Sequence, residues 1–206
     1  MSDWMIYSIG FLAQLLFSGR TIYQWLSSEK AKKVIAPKFF WQVSLFASFL
    51  LFVYGYFRND FSIMLGQSIT YFIYIRNIQL EGLWHKFPKP SRLFLYIFPF
   101  LIVWYYYKNH QMGIANLLNN QAISKPSLIL GIAGQLLFTF RFIYQWIYSE
   151  KRKFSSLPKG FWLISLLGSS LIFTYGIIRS DPVLIAGHVF GIVVYIRNLK
   201  ILRHAH

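Results

Sequence analysis

Arg20 and Arg141 are the residues with the clearest chemical meaning. Each stands inside a long apolar run, and the two recur in matching surroundings 121 residues apart. At 100° per residue, Gly10, Gln14, Phe17, Arg20, Gln24 and Ser28 fall within an arc of about 120°. Gly131, Gln135, Phe138, Arg141, Gln145 and Ser149 form the same arc. A second face carries Gln67, Thr70, Tyr74 and Asn77 at helical spacing, matched by His188, Gly191, Tyr195 and Asn198. A guanidinium among such groups can grip a phosphate or carboxylate through two parallel N–H bonds. The structural alternative is an arginine that snorkels to the headgroups or pairs with Glu29 or Glu150. Hydrocarbon cannot satisfy polar side chains, so these stripes should face a bundle interior. They predict a polar, substrate-binding cleft lined by Gln14, Arg20, Gln24, Gln67, Tyr74, Asn77, Gln135, Arg141, Gln145, His188, Tyr195 and Asn198.

Catalysis finds less support. The chain has six acidic residues and no cysteine. That excludes a disulfide framework, a thiolate nucleophile and a Cys-type metal site. No nucleophile–His–acid set, phosphate loop or metal-ligand cluster occurs, so no catalytic residue, metal or cofactor is assigned. Glu29 and Glu150 follow Ser28 and Ser149 and suit charge pairing with Lys30, Lys151, Arg76 or Arg197, or proton coupling. Arg76 and Arg197 point away from the polar stripe, as interface anchors or ion-pair partners would. His188 replaces Gln67, the main polar break in the symmetry, and suits pH sensing, ligand positioning or a core hydrogen bond. Asp181-Pro182 reads as an N-cap followed by a first-turn proline, with Arg58…Asp60 as its counterpart. Gly187…Gly191 reads as a small-residue pair for close helix packing.

The elements that must hold these residues are apolar helices. Hydrophobic types make up 56% of the 206 residues, aromatics 20% and charged residues 13%, yet the net charge is +15. Seven spans are expected at Trp4–Leu26, Phe39–Phe57, Phe61–Leu80, Leu93–Tyr107, Leu128–Ile147, Phe161–Ile178 and Pro182–Leu202. Asp3 and the lack of a small-residue cleavage site argue against reading the first as a cleavable signal. Lys30, Lys32, Lys33 and Lys38 follow the first span; Lys86, Lys89 and Arg92 the third; Lys151, Arg152, Lys153 and Lys159 the fifth. Positive charge concentrated in alternate loops sets the N-terminus outside and the C-terminus inside, and argues against a nucleic-acid partner. Trp25, Trp41, Trp84, Trp146 and Trp162 fall near the expected cytoplasmic ends, and Trp4 and Trp104 near the outer ones, as an aromatic belt would.

Shifted by 121, the chain matches itself without a gap. Tyr23-Gln24-Trp25 falls on Tyr144-Gln145-Trp146, Ser28-Glu29-Lys30 on Ser149-Glu150-Lys151, and Tyr74-Ile75-Arg76-Asn77 on Tyr195-Ile196-Arg197-Asn198. Roughly half of the paired positions are identical, which marks a duplicated unit. Each unit holds three spans, so the unpaired fourth span restores a common orientation. The expected fold is an all-α membrane protein of seven transmembrane helices: two parallel three-helix repeats, residues 1–80 and 125–206, joined by a basic loop and linker helix at 81–124.

The run Gly131…Gln135…Arg141-Phe142…Gln145-Trp146…Ser149-Glu150-Lys151, followed by Pro158…Phe161-Trp162, Tyr175-Gly176…Arg179…Asp181-Pro182 and Tyr195…Arg197-Asn198, resembles the lipid A biosynthesis N-terminal (LAB_N) domain. The first repeat resembles it too. That family is named for its fusion to lipid-A-disaccharide synthase and is in turn similar to the SWEET and PQ-loop three-helix units. The Pro-Gln pair of PQ-loop proteins is Ala13-Gln14 and Gly134-Gln135 here, so no proline hinge is expected. The resemblance implies a bacterial inner-membrane transporter or flippase for an anionic amphiphile, such as a lipid-linked sugar or polyprenyl phosphate. It also admits a SWEET-like facilitator of a small sugar, or a lipid-presenting partner of a membrane glycosyltransferase. The soluble catalytic half of the synthase is absent from this sequence, so an enzyme is not expected.

Overall fold

A computed structural model describes residues 3–58, 61–109 and 125–204. The described chain is helical throughout: α1 (Asp3–Ala31), α2 (Lys38–Phe57), α3 (Phe61–Leu80), a 3₁₀ turn at Trp84–Lys86, α4 (Lys89–Asn109), α5 (Lys125–Arg152), α6 (Lys159–Ile178) and α7 (Pro182–His204). Five of these helices, α1, α2, α5, α6 and α7, are long and apolar enough to cross a membrane. Expected spans three and four, now α3 and α4, are not among them. Gln67, Ser68, Thr70 and Asn77 dilute the apolar content of α3, and α4 opens on Lys89-Pro90-Ser91-Arg92.

The two copies end their helices by the same local chemistry. Lys32 and Lys153 adopt left-handed φ angles of 51° and 53° just beyond α1 and α5. Their N–H groups return to the carbonyls of Glu29 and Glu150. A basic residue there also complements the helix C-terminal dipole. Pro37 and Pro158, extended and without an N–H to leave unpaired, start α2 and α6. At α7 the Asp181 carboxylate accepts the N–H groups of Val183 (3.0 Å) and Leu184 (3.1 Å), the cap read from the sequence. Asp60, its counterpart, lies outside the described residues.

Within each repeat the first helix packs on the second and the second on the third; between repeats, α1 packs on α7 and α3 on α5. The shared core is aromatic. Tyr74 meets Phe142 edge-on at 5.1 Å, Trp41 lies 6.1 Å from Tyr74, and Trp162 lies 5.9 Å from Tyr195. Helix α4 seats Phe98 on Phe49 of α2 and Phe100 on Phe72 of α3. Trp41 and Trp162 therefore leave the expected interfacial belt: they are 0% and 1% exposed. Their helix faces turn inward, where Phe40 and Phe161 also pack against them.

The repeats pack at different depths. Ala13 and Ala47 of α1 and α2 become Gly134 and Gly168 in α5 and α6. A Cβ at Gly168 would lie 2.7 Å from the Phe138 backbone nitrogen, and one at Gly134 would lie 3.1 Å from that of Ile172. Backbone cannot swing aside as a side chain does. Gly168→Ala should therefore cost about 1–3 kcal/mol, read as a lower melting temperature in detergent, although the first repeat carries alanine at that position. An unchanged melting temperature would show that α5 and α6 separate freely.

Candidate functional site

A cavity of about 80 Å³ lies between the repeats. Gln14, Arg20, Gln67 and Tyr74 line it from one repeat, and Gln135, Arg141, His188 and Tyr195 from the other. That volume holds several waters or a small charged group.

Both arginines are buried, at 7% and 4% exposure, so neither snorkels to a surface. Arg20 donates from Nη1 to the hydroxyl of Ser44 on α2. Its guanidinium lies 4.7 Å from the Phe17 ring, 4.5 Å from Phe40 and 5.4 Å from Tyr74. Arg141 donates to the Tyr195 hydroxyl at 3.0 Å and lies 3.4 Å from the centre of the Phe138 ring. The ring of Phe142 is shared by the two cations, 5.8 Å from one guanidinium carbon and 4.4 Å from the other. Ring faces attract a cation but carry no net charge. Among the described residues no carboxylate pairs with either arginine, and both Nε atoms are buried without a hydrogen-bond partner.

The neutral lining is tied down from behind. Gln67 accepts the Ser48 hydroxyl at 2.9 Å, and His188 Nδ1 sits 2.7 Å from the Ser169 hydroxyl. His188 thus keeps the tie to the second helix that Gln67 makes, and its ring also meets Phe138 edge-on at 4.8 Å. Gln14 and Gln135 reach across to the opposite repeat and lie over glycine backbone. A Cβ at Gly187 would sit 2.5 Å from the Gln14 amide oxygen, and one at Gly66 would sit 2.3 Å from the Gln135 amide nitrogen. Gly187, expected only to bring helices together, here makes room for a side chain.

Gln24, Asn77, Gln145 and Asn198 do not line the cavity. They form two matching clasps, one turn nearer the basic end of the bundle, and all four are 0% exposed. Gln24 donates to Asn198 at 3.0 Å, to Ser28 at 2.9 Å and to the Ile35 carbonyl at 3.2 Å. Asn198 returns a bond to Gln24 at 3.3 Å. Gln145 and Asn77 exchange bonds of 2.9 and 3.1 Å, while Gln145 also holds Ser149 and the Ser156 carbonyl. With their amides mutually occupied, these residues join repeats. The charge-pairing residues complete the clasps: Arg76 forks onto Glu150 at 2.9 and 2.8 Å, and Arg197 forks onto Glu29. Each glutamate sits on the first helix of one repeat and each partner arginine on the third helix of the other. These pairs are partly exposed and contribute little to stability; the buried amides contribute more.

Sequence reasoning missed the second helices. Ser44 and Ser48 recur as Ser165 and Ser169, a spacing of four on one face of an otherwise apolar span. That signal marks residues that back a cavity. Among the described residues no group of His, Asp or Glu side chains is placed to hold a metal ion.

A family model described as the Lipid A Biosynthesis N-terminal domain matches the chain twice, over residues 9–79 and 130–200. The chain is 33% identical over 208 residues to a lipid-A-disaccharide synthase of Chlamydia felis (strain Fe/C-56). It is 30% identical over 207 residues to one of Chlamydia abortus (strain DSM 27085 / S26/3). Each alignment covers 96% of this chain and 33% of the relative, so the chain spans about a third of the length of the curated relatives it matches. No solved structure matches it.

Proposed function

The chain belongs to the Lipid A Biosynthesis N-terminal domain family, and from that premise we propose that it is a bacterial inner-membrane transporter or flippase. Its cargo is an anionic amphiphile of lipid A or envelope glycolipid synthesis, such as a lipid-linked sugar or polyprenyl phosphate. The helices form two parallel three-helix repeats around the cavity, with α4 as the linker, the N-terminus outside and the C-terminus in the cytoplasm. One observation carries the reading. Corresponding positions of a duplicated unit bring two buried guanidiniums to one cavity, and among the described residues no acidic side chain lines it. Buried charge without a partner is costly, and a protein that repeats it has a use for an anion there.

The clasps supply the moving part in this reading. They tie the repeats together on the cytoplasmic side of the cavity. Opening them would expose the arginines to the other face of the membrane.

Reconstitution into proteoliposomes tests the proposal, with fluorescent polyprenyl phosphate and radiolabelled free sugar assayed in the same vesicles. Leaflet exchange of the lipid, without sugar flux, is the expected result. Sugar flux without lipid exchange would replace the flippase with a facilitator. A second reading rests on the length of the relatives, which extend well beyond this unit and bear an enzyme's name. In it the unit presents lipid to a membrane glycosyltransferase. Tight lipid binding with neither flux would favour that role.

A further inference from the structure

The charge in this cavity selects among anions. Arg20 and Arg141 bring two positive charges into a site also lined by Phe17, Phe138 and Phe142. The described acidic side chains lie elsewhere: Glu29 and Glu150 in the clasps, Glu81 just beyond α3 near Lys38, and Asp181 at the start of α7. A singly charged headgroup would leave one guanidinium buried and uncompensated, next to another cation. A dianion would neutralise both. Donor geometry agrees. Each guanidinium carries five N–H donors; Arg20 engages Ser44 and Tyr74, Arg141 engages Tyr195, and both Nε–H groups stay buried without a hydrogen-bond partner. The two guanidiniums line one cavity from opposite repeats, an arrangement suited to the three terminal oxygens of one phosphate.

We infer that the site recognises a phosphomonoester dianion, shared between Arg20 and Arg141. The inference rests on the reading of the cavity as an anion site and narrows it. A lipid with a terminal phosphate meets the requirement; a sugar joined to lipid through a single phosphodiester, with one charge, does not. Free inorganic phosphate offers the same chemistry and is the other source of such an anion.

Isothermal titration of the full chain in maltoside detergent separates these cases without any mutation. The probes are dodecyl phosphate, its methyl ester (the same chain with one charge) and inorganic phosphate. At pH 7.5 dodecyl phosphate should bind at least about tenfold more tightly than the ester. The preference should fade toward pH 5, because a phosphomonoester loses its second charge near pH of about 6. Arg20, Tyr54, Tyr74, Arg141, His188 and Tyr195 face this ligand from α1, α2, α3, α5 and α7. His188→Gln, which restores the residue of the first repeat, should keep the pH profile; its loss in that variant would assign the profile to the imidazole and overturn the inference. Arg20→Gln or Arg141→Gln alone should equalise the two esters, whereas Arg20→Lys should retain the preference. Equal binding of both esters to the unaltered chain would sink the dianion and leave the anion carrier standing. Binding of none of the three probes would sink both. If inorganic phosphate binds as tightly as dodecyl phosphate, the dianion stands and the lipid cargo falls.

Discussion

With Arg20 and Arg141 both changed to glutamine, the chain is expected to keep its helical content and to lose lipid translocation by at least about a hundredfold. Melting behaviour decides what that loss means. If the guanidiniums were structural, held by Ser44, Tyr195 and the surrounding rings, removing them would lower stability by about 1–3 kcal/mol. If they are held in reserve for an anion, the substitution removes two buried charges that lack carboxylate partners among the described residues. The melting temperature should then hold or rise. Circular dichroism melts beside flux measurements read both quantities. A collapse of the fold with flux lost in proportion would assign the arginines to architecture.

Cross-linking the clasps should stop transport while leaving the cavity intact. The chain has no cysteine, so thiols introduced by Glu29→Cys with Arg197→Cys, and Glu150→Cys with Arg76→Cys, are the only ones present. Bridging each pair through disulfides with a short bis-methanethiosulfonate reagent should reduce translocation to background, and reductant, by cleaving those disulfides, should restore it. Ligand binding should survive, because the cavity lies a turn away from the bridges. The physical case is the composition of the clasp. Partly exposed ion pairs contribute little, and the buried amide exchanges contribute about 1 kcal/mol per hydrogen bond. That sum suits an element that opens and recloses. Full transport across bridged clasps would place the moving part elsewhere.

Much of this arrangement was legible in the residues. The duplication at a spacing of 121 residues pairs Arg20 with Arg141 and Gln67 with His188, and helical periodicity puts the partners on one face. Periodicity describes a single helix, however, and a stripe as long as Gln14–Arg20–Gln24 crosses two environments. Gln24 has the same angular position as the cavity residues but sits a turn lower, where Asn198 from the other repeat meets it. Trp41 misled for a related reason: distance from a span's end says nothing about which side of the helix a neighbour covers.

The sequence by itself determined the helical class, the repeat, the caps set by proline and aspartate, and the identity of the buried cations, because each depends on local spacing and side-chain chemistry. Tertiary structure decided which polar residues face empty space and which face one another. That choice depends on how α1 lies on α7 and α3 on α5, with Gly66 and Gly187 admitting glutamines from across the interface. Contacts between residues as far apart as Gln24 and Asn198 follow from helix packing, and no local pattern contains them.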